Sequence, residues 1–272
     1  MENRKIFDTE NGSVTLYASK YDQRFSYYVY VPSSYEENQT DSYPLTIVVH
    51  GTERSAEKYR DNFIDYAEEN NTFILAPLFP AGIIEYDDIH SYKFLKFHDL
   101  RYDLVLLEMV NEISEKYRIM KEKFLLYGFS GGGHFVHRFY YLHPERLLAV
   151  SIGSPGRITY LENDKPWYNG VSDIELVFKK SIDYEELKRV EVQLIVGGED
   201  KDTSMINNPN DPTFDKEAGR YGETRIERLR ALKQNLNNIG ILTEYIEVPG
   251  VAHEGFKLTD EVKKFFQKVL EK

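Results

Sequence analysis

Five short, continuous apolar runs dominate the chain: "LTIVV" within "YPLTIVVHG", then "TFILAP", "FLLYG", "LLAVSIGS" and "VEVQLIVGG". Runs of this length, apolar at successive rather than alternate positions, describe strands buried on both faces. Between them the spacing turns helical, as in "DLRYDLVLLEMVNEISEKY", where Leu100, Leu104, Leu107 and Val110 or Ile113 share a face. Buried strands alternating with amphipathic helices predict a mostly parallel sheet with helices on both sides.

The remaining elements fit that frame. Residues 14–19 and 25–31, separated by the turn-like "KYDQR", read as an antiparallel pair ahead of the parallel strands. A helix is expected over 55–69, and the helical run before "FLLYG" is read from "FLKFH" onward. The helix in "HFVHRFYYLHPERL" should stop near His143 and Pro144, because proline disfavours helix at the residue before it. "ETRIERLRALKQNLNNIG" ends on Gly240, a good helix stop, and is followed by the strand "TEYIEVPG" and a last helix from Asp260. No repeat or Pro/Ser-rich linker divides the chain, so residues 1–272 are read as one domain. Residues 155–189 form an excursion longer than a simple crossover, with the only tryptophan, Trp167, and are expected to make a lid or pocket wall.

Charge and composition narrow the partners. A net charge of -11 repels a phosphate backbone, and no cluster of Lys or Arg with interleaved aromatics relieves it, so no nucleic acid is expected. Any strongly anionic substrate would need local compensation. Without cysteine there is no thiolate nucleophile, no disulfide and no cysteine metal site. The opening "MENRKIFDTENGS" has no apolar h-region and no run is long enough to span a bilayer, so the expectation is a cytoplasmic protein with no membrane contact.

Chemistry concentrates in "LLYGFSGGGHF", where a buried strand runs into a lone serine among four glycines. A plain turn needs one glycine; four indicate backbone crowding around Ser130. Gly128 and Gly133 have the separation of a phosphate-binding loop, but His134 stands where that loop needs lysine, and the dinucleotide fingerprint is absent. His134 and His137 lie three apart on one helix, which without a third ligand reads as packing rather than metal binding. Gly128-Phe129-Ser130-Gly131-Gly132 does match G-x-S-x-G at a strand-to-helix junction, the context that gives the pattern meaning.

Here the sequence resembles the α/β-hydrolase superfamily, and more narrowly its esterase and polyhydroxyalkanoate-depolymerase-like branch. The resemblance covers nearly the whole chain and rests on "YVYVPSSY", "VVHGT", "GFSGGGHFVHRFYYLHPERL", "VGGED" and "VPGVAHEGF". It implies an α/β-hydrolase fold with about eight strands and the chain order serine, acid, histidine. Ser130 would be the nucleophile, and His253, in "PGVAHEG", the base. The acid would lie in the loop after "LIVGG": Asp200 fits the spacing from Gly197 and is preferred, Asp202 is the alternative, and Glu199 is less suited. The backbone N–H groups of Gly131 and Thr52 would form the oxyanion hole, each typically contributing ~3 to 4 kcal/mol in the transition state. The loop reads "HGTE" rather than "HGGG", which sets Glu53 beside the developing anion, with Arg54 expected to neutralise it. His50 in that loop, and Arg101 and Asp103 on the preceding helix, are read as structural.

The expected function is therefore a serine hydrolase, a carboxylesterase on small or medium acyl esters that works through an acyl-serine intermediate and needs no cofactor. A peptidase, thioesterase or lactonase on the same three residues stays open, as does a binding protein on a hydrolase scaffold. Tyr160, Trp167 and Tyr168, with Phe178, are expected to line the substrate pocket, and the loop bearing Tyr86, His90 and Tyr92 its other side.

Overall fold

The computed structural model describes residues 11–38, 40–204, 206 and 218–272. Its elements, in chain order, are β1 (Gly12–Ser13), β2 (Tyr17–Ala18), β3 (Ser26–Val31), β4 (Leu45–Val49), α1 (Ala56–Asn62), α2 (Ile64–Asn70), β5 (Phe73–Leu78), β6 (Lys96–Phe97), β7 (Leu100–Arg101), α3 (Tyr102–Lys116) and β8 (Phe124–Phe129). They continue with α4 (Gly131–Leu142), β9 (Leu147–Gly153), α5 (Ile174–Phe178), α6 (Tyr184–Leu187), β10 (Glu191–Gly197), α7 (Arg225–Asn238), β11 (Thr243–Val248) and α8 (Thr259–Leu270).

One sheet carries the molecule, in the order β1-β3-β5-β4-β8-β9-β10-β11, with the short β2 also on β3. Every pairing from β5 to β11 is parallel, whereas β1, β2 and β3 pair antiparallel. Because side chains alternate across a strand, each buried run supplies two cores. Leu45, Ile47 and Val49 of β4 and Phe124 and Leu126 of β8 join the core beneath α3, α4 and α7. Val48, Leu125, Tyr127 and Phe129 point the other way, into the core shared with α1, α2 and α8.

Two helices differ from the sequence expectation. The helix expected over 55–69 is two helices, broken at Phe63, where φ -98 and ψ 7 turn the ring into the core against Tyr66 and Tyr127. The run from "FLKFH" is not helical: Leu95 and His98 take positive φ, β6 and β7 form a small hairpin, and the helix begins at Tyr102. Behind it, Asp103 is fully buried, accepts from both ends of the Arg101 guanidinium and lies 2.8 Å from His143 Nε2. This ties the start of α3 to the end of α4.

All five parallel strands after β5 point their C-terminal ends the same way, so the loops that follow β4, β8, β9, β10 and β11 gather along one edge. That edge is where a ligand crevice forms in open sheets of this kind. No helix among the described residues is long and apolar enough to cross a membrane.

Candidate active site

Ser130 sits between β8 and α4 with φ 54 and ψ -112, a left-handed conformation that a residue with a side chain adopts only under constraint. The constraint is visible on both sides. A Cβ at Gly128 would stand 2.4 Å from the Gly132 carbonyl oxygen, and one at Gly132 would stand 2.2 Å from that of Val49. Only glycine lets the turn pack this tightly against itself and against β4. The Ser130 N–H donates to the Gly153 carbonyl at 2.8 Å, which pins the turn to the end of β9.

His253 reaches this serine from the loop after β11: its Nε2 is 3.0 Å from Ser130 Oγ. Its Nδ1 lies 2.7 Å from Oδ2 of Asp200, in the loop after β10. A ring that donates Nδ1–H to the carboxylate leaves Nε2 as an acceptor for the serine hydroxyl. Asp200 has no exposed side-chain surface, and its Oδ1 accepts from Arg225 Nη1 at 3.1 Å. The same Nη1 donates to the Asp202 backbone carbonyl at 3.0 Å. Asp202 itself turns to the cleft, and its carboxylate accepts from Ser204 N, which, with that side-chain hydroxyl, holds it below the usual range. Geometry therefore puts Asp200, not Asp202, against the imidazole. Arg225, on α7, is a partner of Asp200 that sequence reasoning missed, since no local motif connects the two.

Gly131 opens α4, where the first N–H groups have no intrahelical acceptor. Thr52 Oγ1 lies 3.0 Å from where a Cβ on Gly131 would stand, so these two residues flank the same point beside Ser130. The Thr52 carbonyl accepts from the Arg54 guanidinium, which also donates to the Phe79 and Ile89 carbonyls. Arg54 is thus committed to backbone and makes no ion pair with Glu53, contrary to expectation. Glu53 instead folds over Gly51 and accepts from Ser55 Oγ at 3.0 Å.

His50 is wholly buried. Its Nε2 accepts from Phe79 N at 3.0 Å and its Nδ1 donates to Gly51 O at 2.7 Å, so it staples the loop after β4 to the end of β5. Burial, with help from Arg54 and Lys93, pushes its pKa down to about 4 and keeps it neutral.

A cleft of about 660 Å³ opens over Ser130. Phe129, Phe256 and Tyr59 give it apolar wall, while Thr52, Glu53, His90, Lys93, His134 and His253 bring polar groups. Tyr160, Trp167 and Tyr168 do not line it, contrary to expectation, whereas Gly156 brings the start of the 155–189 segment to its wall. Tyr160 stacks on Tyr221 with centroids 3.7 Å apart, and its hydroxyl donates to the Arg228 carbonyl. Trp167 Nε1–H donates to the Phe94 carbonyl at 3.1 Å and its ring meets Phe178 edge-on; Tyr168 lies 4.2 Å from the Phe94 ring. Each finds its partners inside the fold, so none is left facing the cleft. On the opposite loop His90 does line the cleft, Tyr92 is buried beneath Gly131, and Tyr86 stands in solvent.

His134 and His137 have a different task from metal binding. His134 Nε2 accepts from the N–H groups of Gly156 and Arg157, and His137 Nε2 accepts from Thr159 N. Burial first, and then Arg138, holds both rings well below the ordinary histidine value, so they remain neutral acceptors. They stitch the beginning of the 155–189 segment to α4.

No protein-family model matches the chain, and no curated protein matches it in sequence. Solved structures do match in shape. A poly(3-hydroxybutyrate) depolymerase from Bordetella parapertussis is 23% identical with a TM-score of 0.71, over 89% of this chain and 83% of that one. A poly(aspartic acid) hydrolase from Sphingomonas sp. KT-1 is 19% identical with a TM-score of 0.70, over 88% and 92%. An S-formylglutathione hydrolase from Agrobacterium tumefaciens is 14% identical with a TM-score of 0.65, over 97% of both chains. At these identities the likeness is one of fold.

Proposed function

We propose that this chain, whose fold is that of the α/β-hydrolases, is a serine hydrolase, and specifically a carboxylesterase acting on small or medium acyl esters. One observation carries the reading: the unbroken hydrogen-bond chain from Ser130 Oγ through His253 to Asp200, placed on the floor of an open cleft. Of the three proteins of like fold described above, two are hydrolases and one a depolymerase by name, which agrees with it.

In this reading Ser130 Oγ attacks the acyl carbonyl while His253 Nε2 takes the hydroxyl proton, and Asp200 stabilises the imidazolium through Nδ1–H. The carbonyl oxygen gains the negative charge, which the N–H groups of Gly131 and Thr52 receive. Collapse breaks the bond to the alcohol, which leaves with the proton from His253, and an acyl ester on Ser130 remains. A water then repeats the attack: it gives a proton to His253, forms the second tetrahedral species and releases the carboxylic acid as the proton returns to Ser130. Every group used belongs to the chain, so the reading requires no cofactor. Arg225 keeps Asp200 fixed for this duty from the side away from His253. Residues 1–272 are read as one domain, with the 155–189 segment contributing a wall of the cleft through Gly156.

The direct test is turnover of p-nitrophenyl butyrate, with the reaction quenched early for intact-mass measurement. Wild type should release p-nitrophenol and carry one butyryl group on Ser130, and Ser130→Ala should lose turnover by roughly 10⁶ while staying folded. Retained turnover in Ser130→Ala would remove the proposal.

A further inference from the structure

The cleft wall that adjoins His253 is aromatic and acidic, and the reaction steps above use none of it. The Phe129 ring lies 4.6 Å from the His253 ring, and Tyr59 and Phe256 stack with centroids 4.6 Å apart at an angle of 30°. Gly255 joins these pairs, since a Cβ there would collide with both the Tyr59 hydroxyl and the Phe129 ring. Tyr59 covers one face of Phe256, and Phe256, 41% exposed, keeps free ring surface at the cleft.

Two polar groups on this wall lack a matching partner. Glu53 lines the cleft, accepts only from the neutral Ser55 hydroxyl and makes no ion pair among the described residues. Tyr59 is 1% exposed, yet its hydroxyl has no hydrogen-bond partner among the described residues. Burial first, then Tyr127 and Glu53, holds that hydroxyl well above the ordinary tyrosine value, so it keeps its proton and its oxygen lone pairs remain to accept. Cations of the neighbouring loops are committed: Arg54 to three backbone carbonyls, Lys257 to Glu254 at 2.8 Å. Lys93 belongs to the wall beside Gly131. A carboxylate with only a neutral partner, an accepting phenol oxygen and an open aromatic face are together the complement of an ammonium group.

The mechanism says which half of the substrate meets this wall. His253 Nε2 hands its proton to the departing alcohol oxygen, so the alcohol lies on the His253 side, against Gly255 and Phe256. Resting on the hydrolase reading above, we propose that Glu53, Tyr59 and Phe256 form a cation subsite for the alcohol half, which makes the enzyme select esters of ammonium-bearing alcohols over neutral esters of the same shape. These three residues set specificity and take no part in proton transfer.

The experiment compares kcat/KM for butyrylcholine and for neohexyl butyrate, in which carbon replaces the ammonium nitrogen, in wild type, Glu53→Gln, Phe256→Leu and Asp202→Asn. Wild type should prefer the cation. Glu53→Gln keeps an acceptor for Ser55 but loses the charge, and should lower the choline-to-neohexyl ratio by about fivefold. Phe256→Leu keeps apolar bulk but loses the ring face, and should lower it by about threefold. Asp202→Asn removes a cleft carboxylate from outside the subsite and should leave the ratio within about twofold. A measurement without variants guards against misfolding: choline should inhibit wild-type hydrolysis of neohexyl butyrate more strongly than neohexyl alcohol does. No preference in wild type, equal inhibition by the two alcohols, or a ratio that falls as far in Asp202→Asn as in Glu53→Gln overturns the subsite and leaves the hydrolase reading standing. Failure of folded wild type to turn over any ester, p-nitrophenyl butyrate included, overturns the hydrolase reading itself.

Discussion

The turn at Ser130 and the 155–189 excursion lie next to one another, joined by His134 and His137, yet they are built on opposite principles. At the turn, position is dictated by backbone: Gly128 and Gly132 exist because no larger residue fits against the Gly132 and Val49 carbonyls. In the excursion, position is dictated by side chains: Tyr160, Trp167 and Tyr168 are placed by stacking and by single hydrogen bonds to distant carbonyls. The difference teaches where function can be read. A backbone that admits one residue type leaves a motif, whereas an aromatic ring satisfies a core and a pocket equally well.

The sharpest way to test the first half of this contrast is in the acid loop. Asp200→Asn should lower kcat by roughly 10⁴ through the ring tautomer, and should also lower stability, because it leaves the buried Arg225 guanidinium without its carboxylate. Asp202→Asn, which touches neither the imidazole nor Arg225's guanidinium by its side chain, should stay within about twofold. Equal losses would show that the loop, not one carboxylate, positions His253.

The second half is tested by pairing Gly132→Ala with Trp167→Ala and following both urea unfolding and ester turnover. The added methyl of Gly132→Ala meets the Val49 carbonyl oxygen, so it should cost about 3 kcal/mol of stability and disable the turn as well. Trp167→Ala should cost about 3 kcal/mol through lost packing while the remaining folded protein keeps its kcat/KM on small esters within about twofold. If Trp167→Ala impaired turnover as severely as Gly132→Ala, the excursion would have to be returned to the active site.

The seam between the two regions should respond to pH. His134 and His137 are held below the ordinary value of 6.5 by burial, so the unfolded chain binds protons that the folded one refuses. Their contribution to stability is complete above the unfolded value and is lost as pH falls below it towards the folded values. The urea midpoint should therefore drop between about pH 7 and pH 5, and His137→Asn should flatten part of that slope, at some cost in overall stability. A midpoint constant across that range would contradict the neutral-acceptor assignment.

These same distinctions explain what could be read from the sequence. The buried runs specified the parallel strands, and Ser130 and His253 could be picked out because each stands in a loop that a strand end fixes. Asp200 was narrowed to its loop by spacing, but its choice over Asp202 needed the distance to His253. Arg225 left no local trace, because its contact with Asp200 is made across segments brought together only by the fold. The break at Phe63 was hidden for the same reason: the residue leaves the helix to reach Tyr127, a contact with a strand far along the chain.

The central claim is that His253 and Asp200 activate Ser130 as a nucleophile, and the most direct measurement is intact mass after exposure to a fluorophosphonate. Wild type should gain a single adduct, mapped to Ser130, that is lost in Ser130→Ala and in His253→Ala. A folded wild type that gains no adduct, or one that persists in both variants, would contradict the claim.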